Sequence, residues 1–170
     1  MNNEPAVEAI VKAYLNGGKV LICGNGGLAA ESEHFASELM GKYAFDIFVP
    51  CFALTSPSAL VTALGNDIGF DNIFAHQVMV MGDAGDVLIG MTTSWSPNIL
   101  KALRLAKQKR LYTILLCGFE AEEFAMVTDY CSRAKDKTST QTIQEGILHS
   151  LHQLAYDVKE ALDAACRKPE

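Results

Sequence analysis

Short apolar runs alternate with longer segments of helical periodicity along this chain. The apolar runs are rich in Val, Ile, Leu and Cys and are bounded by Gly, Ser or Asp, which predicts strands. The predicted strands are 19–23, 47–54, 86–91, 111–117 and 126–131. The predicted helices are 5–15, 28–40, 57–65, 71–80, 97–108 and 140–162.

Strands that alternate with helices are typical of an α/β fold in which helices cover a parallel sheet. We therefore predict a three-layer αβα sandwich with a five-stranded parallel sheet and a long C-terminal helix. The length of 170 residues fits one domain, 1–170. The last helix has a broad apolar face, which we expect to pack against its own sheet and against a partner subunit. This face comprises Ile143, Ile147, Leu148, Leu151, Leu154, Ala155 and Val158.

Composition and charge narrow the possible partners. Hydrophobic residues make up 49% and charged residues 20% of the chain, which is typical of globular proteins. The net charge of −6, with no basic cluster longer than 107–110, argues against nucleic-acid binding. The apolar runs are far shorter than the roughly 18 residues of a membrane span, so we expect no membrane partner. Because the N-terminus lacks the pattern of a secretory signal, we expect a cytoplasmic protein.

The chain has five scattered cysteines and no CxxC pair. They are Cys23, Cys51, Cys117, Cys131 and Cys166. Since the first three lie in apolar strand-like runs, we interpret the cysteines as buried thiols rather than as redox or metal sites.

Ligands of open parallel sheets bind at the carboxyl ends of the strands, so the loops that leave the strands are the places to look for function. The glycine loop, residues 23–27, reads Cys-Gly-Asn-Gly-Gly and would let backbone N–H groups approach an anion. A tight turn without a ligand explains this loop equally well. The loop is neither a dinucleotide fingerprint nor a P-loop, so we expect no nucleotide cofactor.

A second loop, residues 90–97, carries four hydroxyl side chains before a helix that begins near Pro97. We call its residues 92–97 the hydroxyl loop, and it is suited to hold a phosphate group. The alternative interpretation is that Ser96 simply caps the helix. A third segment, Gly65-Asn66-Asp67, either binds sugar hydroxyls or forms a turn between two helices.

His34 and Glu38 are spaced i, i+4 and project from one face of the helix after the glycine loop. They are suited to bind a metal ion, although a hydrogen bond on the helix surface explains the spacing as well. The last helix adds further ligand types, namely Gln144, Glu145, His149 and His152. About 12 Å of helix rise separates Gln144 from His152, so one metal cannot easily take both unless another subunit contributes a ligand. Spacing alone does not decide between His149 and His152.

Taken in order, these motifs resemble the phosphoheptose isomerases (sedoheptulose 7-phosphate isomerases) of the sugar-isomerase, or SIS, superfamily. The resemblance extends from about residue 13 into the last helix. It is carried by Cys23-Gly24-Asn25-Gly26-Gly27, Glu33-His34-Phe35-Ala36-Ser37-Glu38-Leu39, Gly65-Asn66-Asp67-Ile68-Gly69-Phe70, Gly85-Asp86 through Thr92-Thr93-Ser94, and Ile143-Gln144-Glu145 with His152.

The resemblance implies a metal-dependent aldose–ketose isomerase that converts sedoheptulose 7-phosphate to D-glycero-D-manno-heptose 7-phosphate, or acts on a closely related sugar phosphate. It also implies one zinc ion per site and a homotetramer with sites between subunits. The implied zinc ligands are His34, Glu38, Gln144 and His152, with Glu38 as catalytic base and His152 as acid. The implied substrate contacts are Asn25, Gly26, Gly27, Glu38, Asn66, Asp67, Thr92, Thr93, Ser94 and Gln144.

This sequence departs from the family pattern near the phosphate pocket. Leu28 follows the glycines where a serine is usual, and Trp95 and Pro97 replace a glycine and a serine of the phosphate loop. We infer a retained reaction centre with an altered phosphate pocket. The alternative is a non-catalytic SIS-domain protein that binds a sugar phosphate or regulates a partner, but retention of Glu38 and His152 favours the isomerase. We expect Glu38 to be an exposed cleft carboxylate whose replacement leaves folding intact.

Overall fold

The computed structural model of the chain describes residues 3–166. One five-stranded parallel sheet with strand order β2-β1-β3-β4-β5 forms its centre. The strands are β1 (Val20–Cys23), β2 (Cys51–Ala53), β3 (Val87–Thr92), β4 (Tyr112–Cys117) and β5 (Tyr130–Arg133). The α-helices of the described residues are α1 (Glu4–Leu15), α2 (Gly27–Met40), α3 (Ser58–Asp67), α4 (Ile73–Met81), α5 (Pro97–Gln108), α6 (Glu122–Ala125) and α7 (Thr140–Cys166), and a 3-10 helix spans Phe70–Asn72.

Two hydrophobic clusters lie on opposite faces of the sheet. Successive strand residues divide between them, so that Ile22 and Ile89 pack with α1, α2 and α7, whereas Leu21 and Leu88 pack with α3, α4 and α5. All six residues of β3, in the middle of the sheet, are buried. The predicted α/β sandwich with its long C-terminal helix is therefore confirmed.

The broad apolar face of α7 is occupied within the chain. It packs with α1, with α2 and with the sheet. Its buried residues include Ile143, Ile147, Leu151, Leu154, Ala155 and Val158. The width of this face therefore needs no partner subunit to explain it. Large apolar side chains that stay exposed lie outside this face, among them Phe48, just before the edge strand β2, and Phe52, within it.

The predicted strand 47–54 is shorter in the structure, where only β2 is extended. Pro50 has no N–H to donate to a ladder, although its carbonyl oxygen accepts from Val20 N at 2.9 Å. Just before it, Val49 N donates to Leu39 O at 2.9 Å, which holds this stretch against the end of α2 instead of against the sheet.

The prediction of a strand at 126–131 is wrong at its start. Residues 126–128 follow α6, a one-turn helix that the sequence analysis does not predict, and β5 begins only at Tyr130. Asp129 fixes this boundary, because its Oδ2 accepts hydrogen bonds from the backbone N–H and the hydroxyl of Thr113 at 2.9 and 2.8 Å. Its Oδ1 accepts from the Lys107 ammonium group. A side-chain anchor thus joins the start of β5 to β4.

Among residues 3–166, no helix combines the length and the apolar character that crossing a membrane requires.

Candidate active site

Helices α2 and α7 run side by side in the same direction, and this packing assembles the site. Three pairs of neighbours recur at about two helical turns along both helices. Gly27 lies against Gln144, His34 against His152, and Gly41, just after α2, against Lys159. The i, i+4 spacing of His34 and Glu38 turns both side chains toward α7.

The middle of the three contacts holds a His–Glu–His cluster. His34 Nε2 lies 3.0 Å from Glu38 Oε1, and His152 Nε2 lies 3.2 Å from His34 Nε2 and 3.5 Å from Glu38 Oε1. The structure therefore groups His152, and not His149, with His34 and Glu38 on α2. His149 lies on the outer side of α7, in a groove that it shares with Glu145 and Asp157.

Glu38 is buried rather than exposed, which corrects the expectation from the sequence. The residue is 9% exposed, and its Oε2 is buried without a hydrogen-bond partner. Lys159 is wholly buried one contact further along α7, where its ammonium donates to Gly41 O at 2.6 Å. Burial lowers the pKa of Lys159, whereas the carboxylates of Glu38 and Asp46 act in the opposite direction.

The cluster has the donor set of a divalent-metal site. One nitrogen from each imidazole and one carboxylate oxygen lie within 4.8 Å of one another. Two imidazole nitrogens that face each other at 3.2 Å need a shared proton or a cation between them. A carboxylate oxygen that is buried without a partner is likewise costly unless a further group satisfies it. Imidazole and carboxylate together suit zinc, and half-exposed His34 and His152 leave the cluster open to solvent.

Gln144 lies at the other end of the α2–α7 contact. A Cβ added to Gly27 would lie 2.7 Å from Gln144 Nε2, so only glycine leaves room for this amide at the start of α2. The preceding Gly26 has a φ of 58°, a conformation that glycine adopts without strain. Gln144 thus lies beside the glycine loop, about 12 Å of helix rise from His152 in the His–Glu–His cluster.

The glycine loop and the hydroxyl loop are joined by a reciprocal amide pair. Asn25 Nδ2 donates to Asn98 Oδ1 at 3.0 Å, and Asn98 Nδ2 donates to Asn25 Oδ1 at 2.8 Å. Asn98 is 1% exposed, and its Oδ1 also accepts from Ile99 N at 3.0 Å. Asn98 is not among the residues predicted from the sequence; its position directly after Pro97, at the start of a helix, is the signal that could have identified it.

The hydroxyl loop folds partly onto itself. The buried Thr92 hydroxyl donates to Ser94 O and lies 2.9 Å from Ser96 Oγ. Ser96 is the N-cap residue of α5, as the alternative interpretation predicts, but its side chain makes no capping hydrogen bond. Trp95 is 54% exposed, and its Nε1 donates to Glu123 Oε2 at 2.9 Å. Thr93 and Ser94 are less buried than Thr92.

Asn66 and Asp67 lie in the last turn of α3 rather than in a turn between helices. Both are exposed, and Asn66 Nδ2 donates to Asp67 Oδ1 at 2.8 Å. The described structure therefore pairs these two side chains with each other.

A second carboxylate on α2 was missed by the sequence analysis. Glu31 lies one turn before His34, and its Oε2 is buried without a hydrogen-bond partner. Burial raises the pKa of Glu31 to about 7, while the nearby His34 acts in the opposite direction. Its i, i+3 spacing to His34 is the signal that could have identified it.

Comparison with known proteins decides the family. The family model of the SIS domain matches residues 2–118. The chain is 42% identical over 155 residues to phosphoheptose isomerase 2 of Campylobacter jejuni, which covers 90% of this chain and 77% of that protein. The chain belongs to the phosphoheptose isomerase family of SIS-domain proteins.

Solved structures of phosphoheptose isomerases have the same fold. The one from Neisseria gonorrhoeae gives a TM-score of 0.82 at 36% identity and covers 90% of this chain and 83% of that chain. The one from Francisella tularensis gives a TM-score of 0.82 at 33% identity, with coverages of 91% and 83%. The expectation of a sugar phosphate isomerase is thus confirmed at the level of reaction class.

Proposed function

We propose that this phosphoheptose isomerase homologue, as one SIS domain over 1–170, converts sedoheptulose 7-phosphate to D-glycero-D-manno-heptose 7-phosphate. One observation carries the proposal: a nitrogen of His34, a nitrogen of His152 and a carboxylate oxygen of Glu38 lie within 4.8 Å of one another. The names of the relatives from Campylobacter jejuni and Aneurinibacillus thermoaerophilus support the choice of a heptose phosphate.

The reaction transfers a proton between adjacent carbons through an enediol. Glu38 acts as the base that removes the proton from C1 of the ketose, and His152 acts as the acid that protonates the C2 oxygen. Return of a proton to C2 and loss of the proton on the C1 oxygen then give the aldose. The 3.5 Å between His152 Nε2 and Glu38 Oε1 supports this pairing, because acid and base must serve neighbouring atoms of one substrate.

Zinc is the metal proposed for the cluster, with His34, Glu38 and His152 as ligands and Gln144 as the fourth. A divalent cation bound there would polarise the oxygens on C1 and C2. Within one chain, Gln144 lies beside Gly27 rather than at the level of His34. For Gln144 to be a ligand, one residue of the ligand set would have to come from another subunit. Gln144 beside the glycine loop is also suited to contact the substrate.

The proposed substrate contacts lie in the loops at the carboxyl end of the sheet and, for Asn66 and Asp67, at the end of α3. Asn25, Gly26 and Gly27 contact the sugar, and Asn66 and Asp67 bind its hydroxyls. Thr93 and Ser94 offer hydroxyls to the phosphate, and Thr92 holds their loop in shape through its bond to Ser94 O. The Asn25–Asn98 pair supports this assignment because it fixes the glycine loop relative to the start of α5.

We infer a homotetramer with sites between subunits. The support is the open side of the cluster together with exposed apolar residues along the β2 edge, where an apolar groove of about 550 Å³ is lined by Met40, Phe52 and Met81. A cytoplasmic location and the absence of nucleic-acid partners and nucleotide cofactors stay predictions.

The experiment that tests the function is an NMR time course in D₂O with zinc-supplemented protein and sedoheptulose 7-phosphate. We expect aldose signals to appear with deuterium at C2, because the proton transferred to that carbon exchanges with solvent. Wild-type protein that is folded and binds zinc, yet gives no product and no exchange, would contradict the proposal and favour a binding role.

Glu38→Gln is the decisive variant because it removes the base while keeping the shape of the side chain. We expect kcat to fall by roughly 10²- to 10⁴-fold. Glu145→Gln is the matched control, since Glu145 is exposed on the outer side of α7, and it should retain wild-type turnover. Thermal unfolding of both variants checks the fold, and wild-type turnover in folded Glu38→Gln would exclude Glu38 as the base.

A further inference from the structure

Two cysteines outside the candidate active site lie close together on neighbouring strands. Cys117 ends β4 and Cys131 is in β5, where it pairs in register with Leu115. Since Cys117 is two residues beyond Leu115, both thiols lie on the same face of the sheet. Their Sγ atoms are 3.8 Å apart. The sequence analysis treats all cysteines alike, because only the sheet brings these two together.

A small oxidant can reach one thiol of this pair, that of Cys131. Cys117 is buried, but Cys131 is partly exposed and lines a cavity of about 170 Å³ together with Phe119, Phe124 and Arg133. One water molecule takes up about 30 Å³ in the liquid, so the cavity has room for hydrogen peroxide. By contrast, Cys23 is fully buried in β1.

The environment also favours a thiolate beside a thiol. The hydrogen bond between the two sulfur atoms lowers the pKa of Cys117, against the effect of burial, and Arg133 and Lys137 lower it further. The same hydrogen bond raises the pKa of Cys131. A reactive cysteine with a low pKa next to a second thiol is the arrangement of a redox-sensitive pair. Burial instead raises the pKa of Cys23.

We propose that Cys117 and Cys131 form a peroxide-sensitive dithiol site that closes to a disulfide. The thiolate of the pair attacks one oxygen of hydrogen peroxide, the O–O bond breaks, and one water leaves after protonation. The second thiol then attacks the sulfur of the sulfenic acid, the S–O bond breaks, and a second water leaves. Two thiols are oxidised and one peroxide is reduced, with no further reactant.

The fold gives the pair room to close. The sulfur atoms must approach from 3.8 Å to a bonded distance of about 2.05 Å, which requires a shift of the strand. Within residues 3–166, β5 is an edge strand of four residues that pairs only with β4, so it can shift without disturbing a second strand. Cys117 lies opposite Thr92 in the β3–β4 register, so the bridge forms beside the hydroxyl loop.

The test is a peroxide titration of the fully reduced protein in a Cys166→Ser background, followed by alkylation and peptide mapping. We expect a peptide bridged through Cys117 and Cys131, with the loss of two hydrogen atoms, to form before Cys23 or Cys51 reacts. Reduction with a dithiol reagent should restore both free thiols. The proposal is overturned if the bridged peptide forms in less than stoichiometric yield while Cys23 and Cys51 are oxidised as fast as Cys117 and Cys131.

Cys131→Ser supplies the second arm. Cys117 should then form a sulfenic acid that a dimedone probe captures, because the resolving thiol is missing. Circular dichroism checks that the variant is folded. If the probe does not label Cys117 in the folded variant, and wild-type protein yields no bridged peptide, the proposal fails. The two thiols are then inert core residues.

Discussion

Two carboxylates illustrate how differently single residues are held in this fold. Asp129 receives donors at both oxygens, as a structural carboxylate should. Glu38 instead has one oxygen facing two imidazoles and the other buried without a partner. Such an unsatisfied group costs stability, and its position next to His34 and His152 agrees with the role that we propose for it as a base and metal ligand.

Asp129 should govern part of the stability in acid. Burial alone would raise its pKa, but the hydrogen bonds from Lys107 and Thr113 lower it below the ordinary value of about 3.9. The contribution to stability is therefore complete above the unfolded-state pKa and is lost as the pH falls through the lower folded-state pKa. We expect Asp129→Asn to reduce the free energy of unfolding at pH 7 by roughly 1–3 kcal/mol and to flatten its fall in acid.

Urea unfolding of wild type and variant between pH 2 and pH 7 measures this effect. Asp71→Asn is the control, because Asp71 is an exposed carboxylate 3.5 Å from Lys101, and a surface pair of this kind contributes little. If the free energy of unfolding falls equally with pH in wild type and in Asp129→Asn, the titration of Asp129 does not cause the loss of stability in acid.

Sequence reasoning at this scale identified His34 and Glu38, because their relation is set by the helix itself. It could not choose between His149 and His152 without the family resemblance. That choice depends on the rotation of α7 about its axis relative to α2, which tertiary packing sets. The burial of Glu38 was missed for the same reason.

At the scale of elements, the parallel packing of α2 on α7 brings His152 next to His34 and Glu38 and so forms the candidate site. The long, strongly periodic helices and the central strands were predictable, since their apolar patterns repeat over many residues. Helix α6 and the start of β5 were not. They depend on one turn of helix and on the contact of Asp129 with Thr113, and neither leaves a periodic pattern in the sequence.

Gly27→Ala tests the α2–α7 contact. Replacing glycine by alanine in a helix usually stabilises a protein by about 0.4–1 kcal/mol through the unfolded chain. At Gly27, however, the new Cβ would lie 2.7 Å from Gln144 Nε2 and displace that flexible side chain. We therefore expect little change in Tm but a clear loss of kcat/KM, as measured by thermal unfolding and the isomerisation assay.

Gly65→Ala in α3 is the matched substitution for stability, because a Cβ there would meet open space. It should show the full stabilisation that Gly27→Ala lacks. If Gly27→Ala matches the stability gain of Gly65→Ala and keeps wild-type kcat/KM, the amide of Gln144 has no part in the reaction.

At the scale of the whole molecule, the order of strands places β2 at one edge and β5 at the other. The sequence indicated a parallel sheet but not which surfaces remain apolar after folding. The apolar face of α7 looked suited to a partner, yet α1, α2 and the sheet bury it. The β2 edge, with Phe48 at 53% and Phe52 at 41% exposure, is one apolar surface that the fold leaves open among the described residues.

Phe52→Glu tests whether this edge joins subunits. Phe52 lies on β2 and lines the apolar groove with Met40, so a carboxylate there would be desolvated on association at a cost that weakens assembly. We expect light scattering to show a tetramer for wild type and smaller species for the variant, and the proposed sites between subunits predict that turnover falls with the tetramer. Met126→Glu, at a 76% exposed position before β5, should leave the oligomeric state and the turnover unchanged.

A monomeric wild type with full turnover would remove the need for an intersubunit site. The cluster of His34, Glu38 and His152 would then have to act within one chain.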